Sequence, residues 1–230
     1  MRQAFREPIK IYIEEGRRRT FAGAIDWPGW CRIGNDENSA LDALFDIWPR
    51  YFSVLQAAQI DAPAPAEITE MQVVELYKGN ATTDFGAPNI PLKSDNRPVD
   101  EEEFLRLQAI VMACWQAFDA AVIAASDREL RRGPRGGGRD LLEIVRHLVS
   151  SDASDLERLA CRFTIHDPSN PLGELGRIRQ ATLNAMARVV MEGIPEQGPK
   201  SGELWTARHF VRNLTWHTLD HAWEIEDRTL

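Results

Sequence analysis

Residues 216–228, WHTLDHAWEIEDR, decide what the C-terminal part of this chain is expected to form. The stretch holds two of the five histidines, His217 and His221, which are four residues apart. On a helix, positions i and i+4 lie on one face about 6 Å apart, so both imidazoles could reach one ion. The apolar residues Phe210 and Leu214 continue the same stripe, which predicts that both rings point into the protein interior. Buried imidazoles need partners, and the pattern leaves two open: a metal ion, or hydrogen-bonding carboxylates and carbonyls.

Composition narrows the class of protein. The chain has 230 residues, 43% of them hydrophobic, enough for one large domain or two small cores. A net charge of −8 disfavours a nucleic-acid-binding role, because such proteins neutralise phosphates with basic surface. Three scattered cysteines without a CxxC pair favour neither a disulfide framework nor a thiolate zinc site. The N-terminus lacks the apolar run of a signal peptide, and the apolar stretches are expected to be too short to span a bilayer. We therefore expect a cytoplasmic protein with no membrane segment.

The first third of the sequence has the period of strands. Residues 9–14 alternate between isoleucine and polar or aromatic residues, which predicts a half-buried strand. Residues 19–34, RTFAGAIDWPGWCRIG, predict two short strands joined at a Pro-Gly turn. Asp36 is expected to cap a helix that Pro49 ends or kinks, and residues 71–78, MQVVELYK, predict a fourth strand. The order β-β-β-α-β indicates a small sheet covered by one helix.

The rest of the sequence is helical, after a Gly- and Pro-rich segment at residues 79–98 that is either a linker or an ordered loop. Asp100 with Glu103, and Asp140 with Glu143, form the D-x-x-E pattern of a capped helix start. The predicted helices run from Asp100 to about Ser126, from Asp140 onward, over residues 170–193 with Pro171 in the first turn, and from about Leu204 to Arg228. Four helices predict a four-helix bundle. Since this bundle follows a small N-terminal sheet, the predicted fold class is α+β.

A third histidine makes a shared site plausible only in one topology. His147 lies about seven residues from the start of the second bundle helix, and His221 about seven from the end of the fourth. If these helices are antiparallel, both residues lie at the same height. If they are parallel, the rise of about 1.5 Å per residue separates them by roughly 15 Å. A simple up-down-up-down bundle makes them parallel, so the site requires a crossover, which we place in residues 161–171, CRFTIHDPSNP.

With these residues identified, the second half resembles the DinB-like (YfiT-like) helical bundles. RHLVSSD at residues 146–152 supplies His147, and WHTLDHAWEIEDR supplies His217 and His221. The resemblance covers about residues 99–230. It implies an up-down-down-up bundle in which these three histidines hold a divalent metal, most often zinc or nickel. It also implies thiol-dependent transferase or isomerase chemistry with a low-molecular-weight thiol.

The first part is similar to a HicB-like antitoxin domain. The match rests on residues 25–44, IDWPGWCRIGNDENSALDAL, and covers about residues 9–78. That family pairs with a small RNase toxin and usually carries a DNA-binding segment afterwards, whereas a helical bundle follows here. We expect domains at residues 1–92, HicB-like with its linker, and 93–230, DinB-like.

Other side chains have two interpretations each. Glu224 shares the histidine stripe and could be a fourth ligand or a base behind the ligands, or it could pair with a nearby arginine. Arg135 and Arg139 lie in a Gly-rich loop before the second helix, where they could hold a substrate carboxylate or phosphate, or be solvated. His166 and His209 are interpreted as ordinary polar residues.

The function expected from these features is that of a metal-dependent enzyme, either a thiol-dependent transferase or isomerase or a hydrolase, that acts on a small-molecule substrate. Three neutral histidines leave the ion its full charge and an open position, where a thiol would bind as thiolate. A homodimer is compatible with the sequence. The alternative is a non-catalytic interaction protein, in which the HicB-like sheet binds a partner protein and the bundle is structural.

Overall fold

The computed structural model describes residues 7–132, 138–196, 198 and 202–230, and over these residues the chain is an α+β protein with a mixed sheet. It folds as two compact units, Met1–Ser94 and Asp95–Leu230. The N-terminal unit contains β1 (Ile9–Glu15), β2 (Thr20–Ala24), β3 (Cys31–Gly34), α1 (Glu37–Asp46), α2 (Trp48–Ala57), β4 (Met71–Lys78) and α3 (Ala81–Phe85). The C-terminal unit contains α4 (Glu101–Ala125), α5 (Leu141–Leu156), α6 (Pro171–Glu192) and α7 (Ala207–Arg228).

The sheet of the N-terminal unit has the strand order β3-β2-β1-β4. Strand β1 pairs antiparallel with β2 and parallel with β4, and β2 pairs antiparallel with β3. A parallel pair cannot be joined by a tight hairpin, so the chain from β1 to β4 passes through β2, β3 and two helices. The sequence predicted these four strands and their order along the chain.

Local sequence explains how these elements begin and end. Gly29 adopts a positive φ of 96° in the turn between β2 and β3. Asp36 caps α1 in a capping box with Ser39, as predicted from its position. Pro49 lies in the first turn of α2, so the helix that begins after Asp36 stops just before it. The single expected helix is therefore two, because proline can begin a helix but cannot continue one.

Strand β1 is more buried than its alternating pattern predicted. The residues between the isoleucines were expected to face solvent, yet Tyr12 is 1% exposed and Glu14 is 0% exposed. Tyr12 stacks with Phe21 and lies directly over Gly23, where a Cβ atom would be 2.5 Å from the tyrosine ring. Glu14 is covered by a later part of the chain, and its carboxylate accepts a hydrogen bond from the Thr83 hydroxyl. The prediction of a half-buried strand was therefore wrong for Tyr12 and Glu14, whereas Lys10 is exposed as predicted.

Residues 79–94 form an ordered part of the N-terminal unit. The carboxylate of Glu14 accepts a hydrogen bond from the backbone N–H of Asn89 at 3.1 Å. The carboxylate of Glu75 accepts one from the backbone N–H of Lys93 at 2.9 Å. Of the two interpretations of this segment, the ordered loop is the correct one up to residue 94, because carboxylates on β1 and β4 satisfy its backbone donors.

Three helices of the C-terminal unit begin where the sequence predicted, whereas α7 begins at Ala207, after the capping residue Thr206, and not at about Leu204. The side chain of Asp100 accepts from the backbone of Glu103 at the start of α4. Asp140 and Glu143 form a complete capping box at the start of α5, with both hydrogen bonds at 2.8 Å. Pro171 lies in the first turn of α6. Buried apolar residues from all four helices then belong to one hydrophobic cluster.

Contacts at the helix ends give the direction of each helix. Helices α4 and α7 run the same way, because Glu103 contacts Arg208 at their starts and Leu130 pairs with Thr229 beyond their ends. Helices α5 and α7 run in opposite directions. The backbone carbonyl just before α5 accepts a hydrogen bond from the last residue of α7, and the carbonyl just after α5 accepts from Trp205, just before α7. The antiparallel arrangement that a shared histidine site requires is therefore present.

The connection between α5 and α6 makes this arrangement possible. Near the end of α6, Arg188 donates a hydrogen bond to the carbonyl of Leu159, just after α5, at 2.8 Å. Since α5 and α6 also pack along one another, they run in the same direction. The chain between them, residues 160–170, must therefore travel back along the helices. On the way, Phe163 and Ile165 pack against the hydrophobic cluster.

Helix α4 is longer and more apolar than we expected of any stretch of this sequence. Among the described residues, it is the one helix long and apolar enough, by length and composition, to cross a membrane. The prediction that no stretch reaches that length was therefore wrong. Half of its most apolar window is buried inside the protein, and its buried side chains belong to the cluster shared with α5, α6 and α7. A position in this core accounts for its composition.

Candidate metal centre

Three histidine side chains from two helices converge at one point in the C-terminal unit. The Nε2 atom of His217 lies 3.1 Å from Nε2 of His147 and 3.1 Å from Nε2 of His221. One ligand atom from each residue lies within 4.8 Å of the other two. His221 is buried, whereas His147 and His217 are partly exposed, so the cluster lies at the edge of the core. This is the group of three that the sequence predicted.

The positions of the histidines on their helices bring the rings together. His217 and His221 are one turn apart on α7 and present their rings to the same side. His147 is the seventh residue of α5, and it meets them because α5 runs antiparallel to α7. The ring of His147 is nearly perpendicular to both others, at 83° and 85°, so its edge faces them.

The hydrogen-bonding capacity of the three rings fits a metal ion better than it fits the rings alone. The Glu224 carboxylate lies 2.8 Å from Nδ1 of His221, and in the neutral ring this contact places the proton on Nδ1 and leaves a lone pair on Nε2. His217 Nε2 then contacts two other nitrogens but has at most one proton to share. A cation would use all three lone pairs. Zn–N bonds of about 2.0–2.1 Å in a tetrahedral site place the nitrogens about 3.3 Å apart, close to the observed separation.

Burial keeps two of the rings in the neutral form that a metal requires. Burial, followed by the nearby His221 and Arg139, lowers the pKa of His147 from its usual 6.5 to about 4. Burial, followed by His221 and His147, lowers the pKa of His217 from 6.5 to about 3. Both imidazoles are therefore neutral at pH 7 and available as ligands.

Glu224 supports the cluster from behind and does not belong to it. Its carboxylate binds His221 through one oxygen and Arg228 through the other. The hydrogen bond from His221, which is the largest cause, lowers the pKa of Glu224. Glu224 therefore pairs with an arginine, as one of the sequence interpretations stated, and it also contacts the ring of His221. A carboxylate behind an imidazole fixes the tautomer of the ring, which is the usual role of such a group at a metal site.

The two arginines predicted to bind an anion differ in what the structure describes. Arg135 lies outside the described residues. Arg139 is exposed just before α5, and its positive charge lowers the pKa of both His147 and His217, which indicates that it lies close to the cluster. Its backbone carbonyl accepts a hydrogen bond from Arg228 at 2.9 Å. Arg139 is thus placed where it could attract a negatively charged group.

The other two histidines, His166 and His209, lie outside the cluster. His209 is buried near the start of α7, where the carboxylate of Asp95 lies 2.6 Å from Arg212 and 3.4 Å from the His209 ring. This buried ion pair was missed in the sequence, because its partners are 117 residues apart. His166 lies in the crossover, and its backbone N–H donates a hydrogen bond to the carboxylate of Glu174, in α6, at 3.2 Å.

Arg228 is the residue near the site that sequence reasoning failed to name. It is 8% exposed and binds Glu224, the carboxylate behind His221. A signal was available, because Glu224 and Arg228 stand at i and i+4 on a predicted helix and follow the histidine stripe. The spacing of residues along the helix could not predict its hydrogen bonds with the backbone that precedes α5.

Fold and site together define the class: an α+β protein whose C-terminal unit carries three histidines that could hold one metal ion. A scan of protein-family models, a search of curated proteins and a search of solved structures each found no match to this chain.

Proposed function

We propose that this protein is a divalent-metal-dependent enzyme in which His147, His217 and His221 bind the ion. The observation that carries the proposal is the convergence of three Nε2 atoms from α5 and α7, with His221 held by Glu224. When bound, a zinc or nickel ion would act as a Lewis acid that lowers the pKa of a water or thiol at an open position. Three protein ligands leave that position free, as in catalytic rather than structural zinc sites.

We further propose that residues 93–230 form a DinB-like bundle. The proposal is supported by the helix directions, since α4 and α7 run one way and α5 and α6 the other. It is also supported by one histidine on the second of these helices and an HxxxH pair on the fourth. For residues 1–92 we propose a HicB-like domain, supported by the Pro-Gly turn and the capped helix after β3. A cytoplasmic location fits the free cysteines Cys31, Cys114 and Cys161.

The residues of the chain divide the work in this proposal. His147 and His217 are neutral at pH 7 and supply lone pairs without competition from protons. Glu224 fixes the tautomer of His221, so that its Nε2 faces the other two rings. Arg139 is exposed just before α5 and would attract a substrate that carries a carboxylate or phosphate. These roles fit both candidate reactions, thiol-dependent transfer and hydrolysis by an activated water.

Metal content tests the site. Protein purified and dialysed against zinc should contain one ion per chain, and His217→Ala should abolish binding. His209→Ala is the matched control, because His209 is a buried histidine on the same helix that binds Asp95 and Arg212 instead. Equal zinc content in the two variants would overturn the assignment, as would its absence from the wild type.

A cobalt spectrum separates the two reactions. In cobalt-substituted protein, a low-molecular-weight bacterial thiol should produce a sulfur-to-metal charge-transfer band, and His221→Ala should remove it. If no such thiol perturbs the cobalt spectrum, thiol transfer is wrong and hydrolysis becomes the preferred reaction. If the protein holds no metal but purifies with a small partner protein, the non-catalytic interaction role replaces both.

A further inference from the structure

Arg228, the last residue of α7, connects the histidine cluster to the backbone that leads into α5. Its guanidinium donates to the carbonyl of Arg131 at 2.8 Å and to the carbonyl of Arg139 at 2.9 Å. The same guanidinium pairs with Glu224. In return, the backbone N–H of Arg131 donates to the carbonyl of Arg228 at 2.7 Å. One buried side chain therefore satisfies two backbone carbonyls and one carboxylate.

These contacts continue to the histidines through Glu224. One Glu224 oxygen binds Arg228, and the other lies 2.8 Å from Nδ1 of His221. The result is an unbroken series of bonds from the His221 ring, through a carboxylate and a guanidinium, to the backbone of Arg131 and Arg139. Every bond in the series involves a charged group, and such bonds are shorter and stronger than neutral ones.

We propose that Arg228 is a positioning residue that couples occupancy of the histidine cluster to the anchoring of Arg131 and Arg139. This inference rests on the proposed metal-binding function. A cation bound at Nε2 of His221 would withdraw electron density from the ring, and the Nδ1–H would then be a stronger donor to Glu224. The carboxylate is then held more firmly, and with it the guanidinium that binds both backbone carbonyls.

The coupling must act in both directions. If metal binding strengthens the anchoring, then loss of the anchoring weakens metal binding by the same factor. Arginine is required for this role because its planar group directs several N–H donors along fixed lines. Lysine keeps the charge but offers a point-like ammonium, which cannot serve Glu224 and two carbonyls in the same geometry. The coupling would also fix Arg139, the residue expected to attract the substrate, relative to the ion.

The test compares Arg228→Lys with Arg188→Lys in the full-length protein. Arg188 is the matched control, because its guanidinium also binds two backbone carbonyls, those of Leu159 and Ala160, at 2.8 and 3.2 Å. Two quantities are measured: zinc affinity, by competition with a chelator, and hydrogen exchange of the Arg131 backbone amide, with and without zinc.

We expect zinc to slow exchange at the Arg131 amide in the wild type. Arg228→Lys should weaken zinc binding by about tenfold, the low end of the range for groups that support metal ligands, and should abolish the slowing. Glu224→Gln should abolish the slowing as well, because it breaks the same series of bonds. Arg188→Lys should change neither quantity.

The outcomes separate the two proposals. If the wild type binds no zinc, the proposed function fails, and the coupling fails with it. If the wild type binds zinc but exchange at Arg131 does not respond, only the coupling is wrong. The coupling is also wrong if Arg188→Lys reproduces both effects of Arg228→Lys, because a general loss of stability would then explain them.

Discussion

Asp152 on α5 should make this protein less stable as the pH rises towards 8. Its side chain is 2% exposed, and burial, followed by repulsion from Asp155, raises its pKa from 3.8 to about 8. The folded protein therefore keeps this carboxyl protonated at pH 7, whereas the unfolded chain does not. For a carboxyl with a raised pKa, folding takes up a proton. The stability contributed by that uptake is complete below pH 3.8 and is lost as the pH rises to the folded pKa.

The magnitude follows from the two pKa values. Each unit of pKa difference corresponds to about 1.36 kcal/mol, so at pH 7 the buried carboxyl costs about 4 kcal/mol relative to its acid limit. Asparagine has the same shape and cannot ionise. Asp152→Asn should therefore increase the free energy of unfolding at pH 7. It should also remove a further loss of about 1 kcal/mol that the wild type suffers between pH 7 and pH 8.

Urea unfolding at pH 7.0, 7.5 and 8.0, with a metal chelator present, measures this effect. The window lies above the pKa of about 4 for His147 and about 3 for His217, so these rings stay neutral in the folded protein throughout. Asp127→Asn is the control, because Asp127 is exposed and its replacement should leave the pH slope unchanged. If Asp152→Asn keeps the wild-type slope, or is less stable than the wild type at pH 7.5, the reasoning about this carboxyl is wrong.

Four further expectations follow from the structure. Asp95→Ala removes the buried carboxylate that faces Arg212, so unfolding free energy measured in urea should fall by about 3–5 kcal/mol, and a loss below 1 kcal/mol would contradict this. A fragment that begins at Asp95 should show a cooperative helical melt by circular dichroism, whereas one that begins at Pro98 should melt at a lower temperature because it lacks that carboxylate. Glu14→Ala should accelerate hydrogen exchange at the Asn89 amide, and unchanged exchange would show that the loop is held by other contacts. Titration with duplex DNA at physiological salt should show no submicromolar complex, since the chain carries a net charge of −8.

Features that depend on neighbours in sequence could be predicted. The capping box of Asp140 and Glu143 depends on residues three positions apart, and the structure contains it. The HxxxH pair depends on the helical repeat, and its two rings do meet. Even the direction of α5 relative to α7 could be anticipated, because only one direction brings His147 to the pair.

Features that depend on distant partners could not be predicted. Glu14 has the alternation of a surface position, but its burial is decided by a loop more than 60 residues later in the chain. Arg228 was recognisable as a helical ion-pair partner, but not as a ligand of backbone carbonyls 97 and 89 residues away. Local patterns specify helices, strands and caps. They do not show which backbone groups are left for a long side chain to satisfy.

The separation of the three histidines along the chain has a consequence for the order of events during synthesis. His147 and His217 are 70 residues apart, and a ribosome adds roughly 5–20 residues per second, so the first ligand precedes the second by about 4–14 s. A single imidazole on α5 binds a metal ion poorly during that interval. The helices must therefore pack before the ion can be held by all three rings. If the three rings hold an ion, as proposed, a site assembled in this order would receive it with the nitrogen positions already set, so the packing of α5 against α7, rather than the ion, would decide which metal fits.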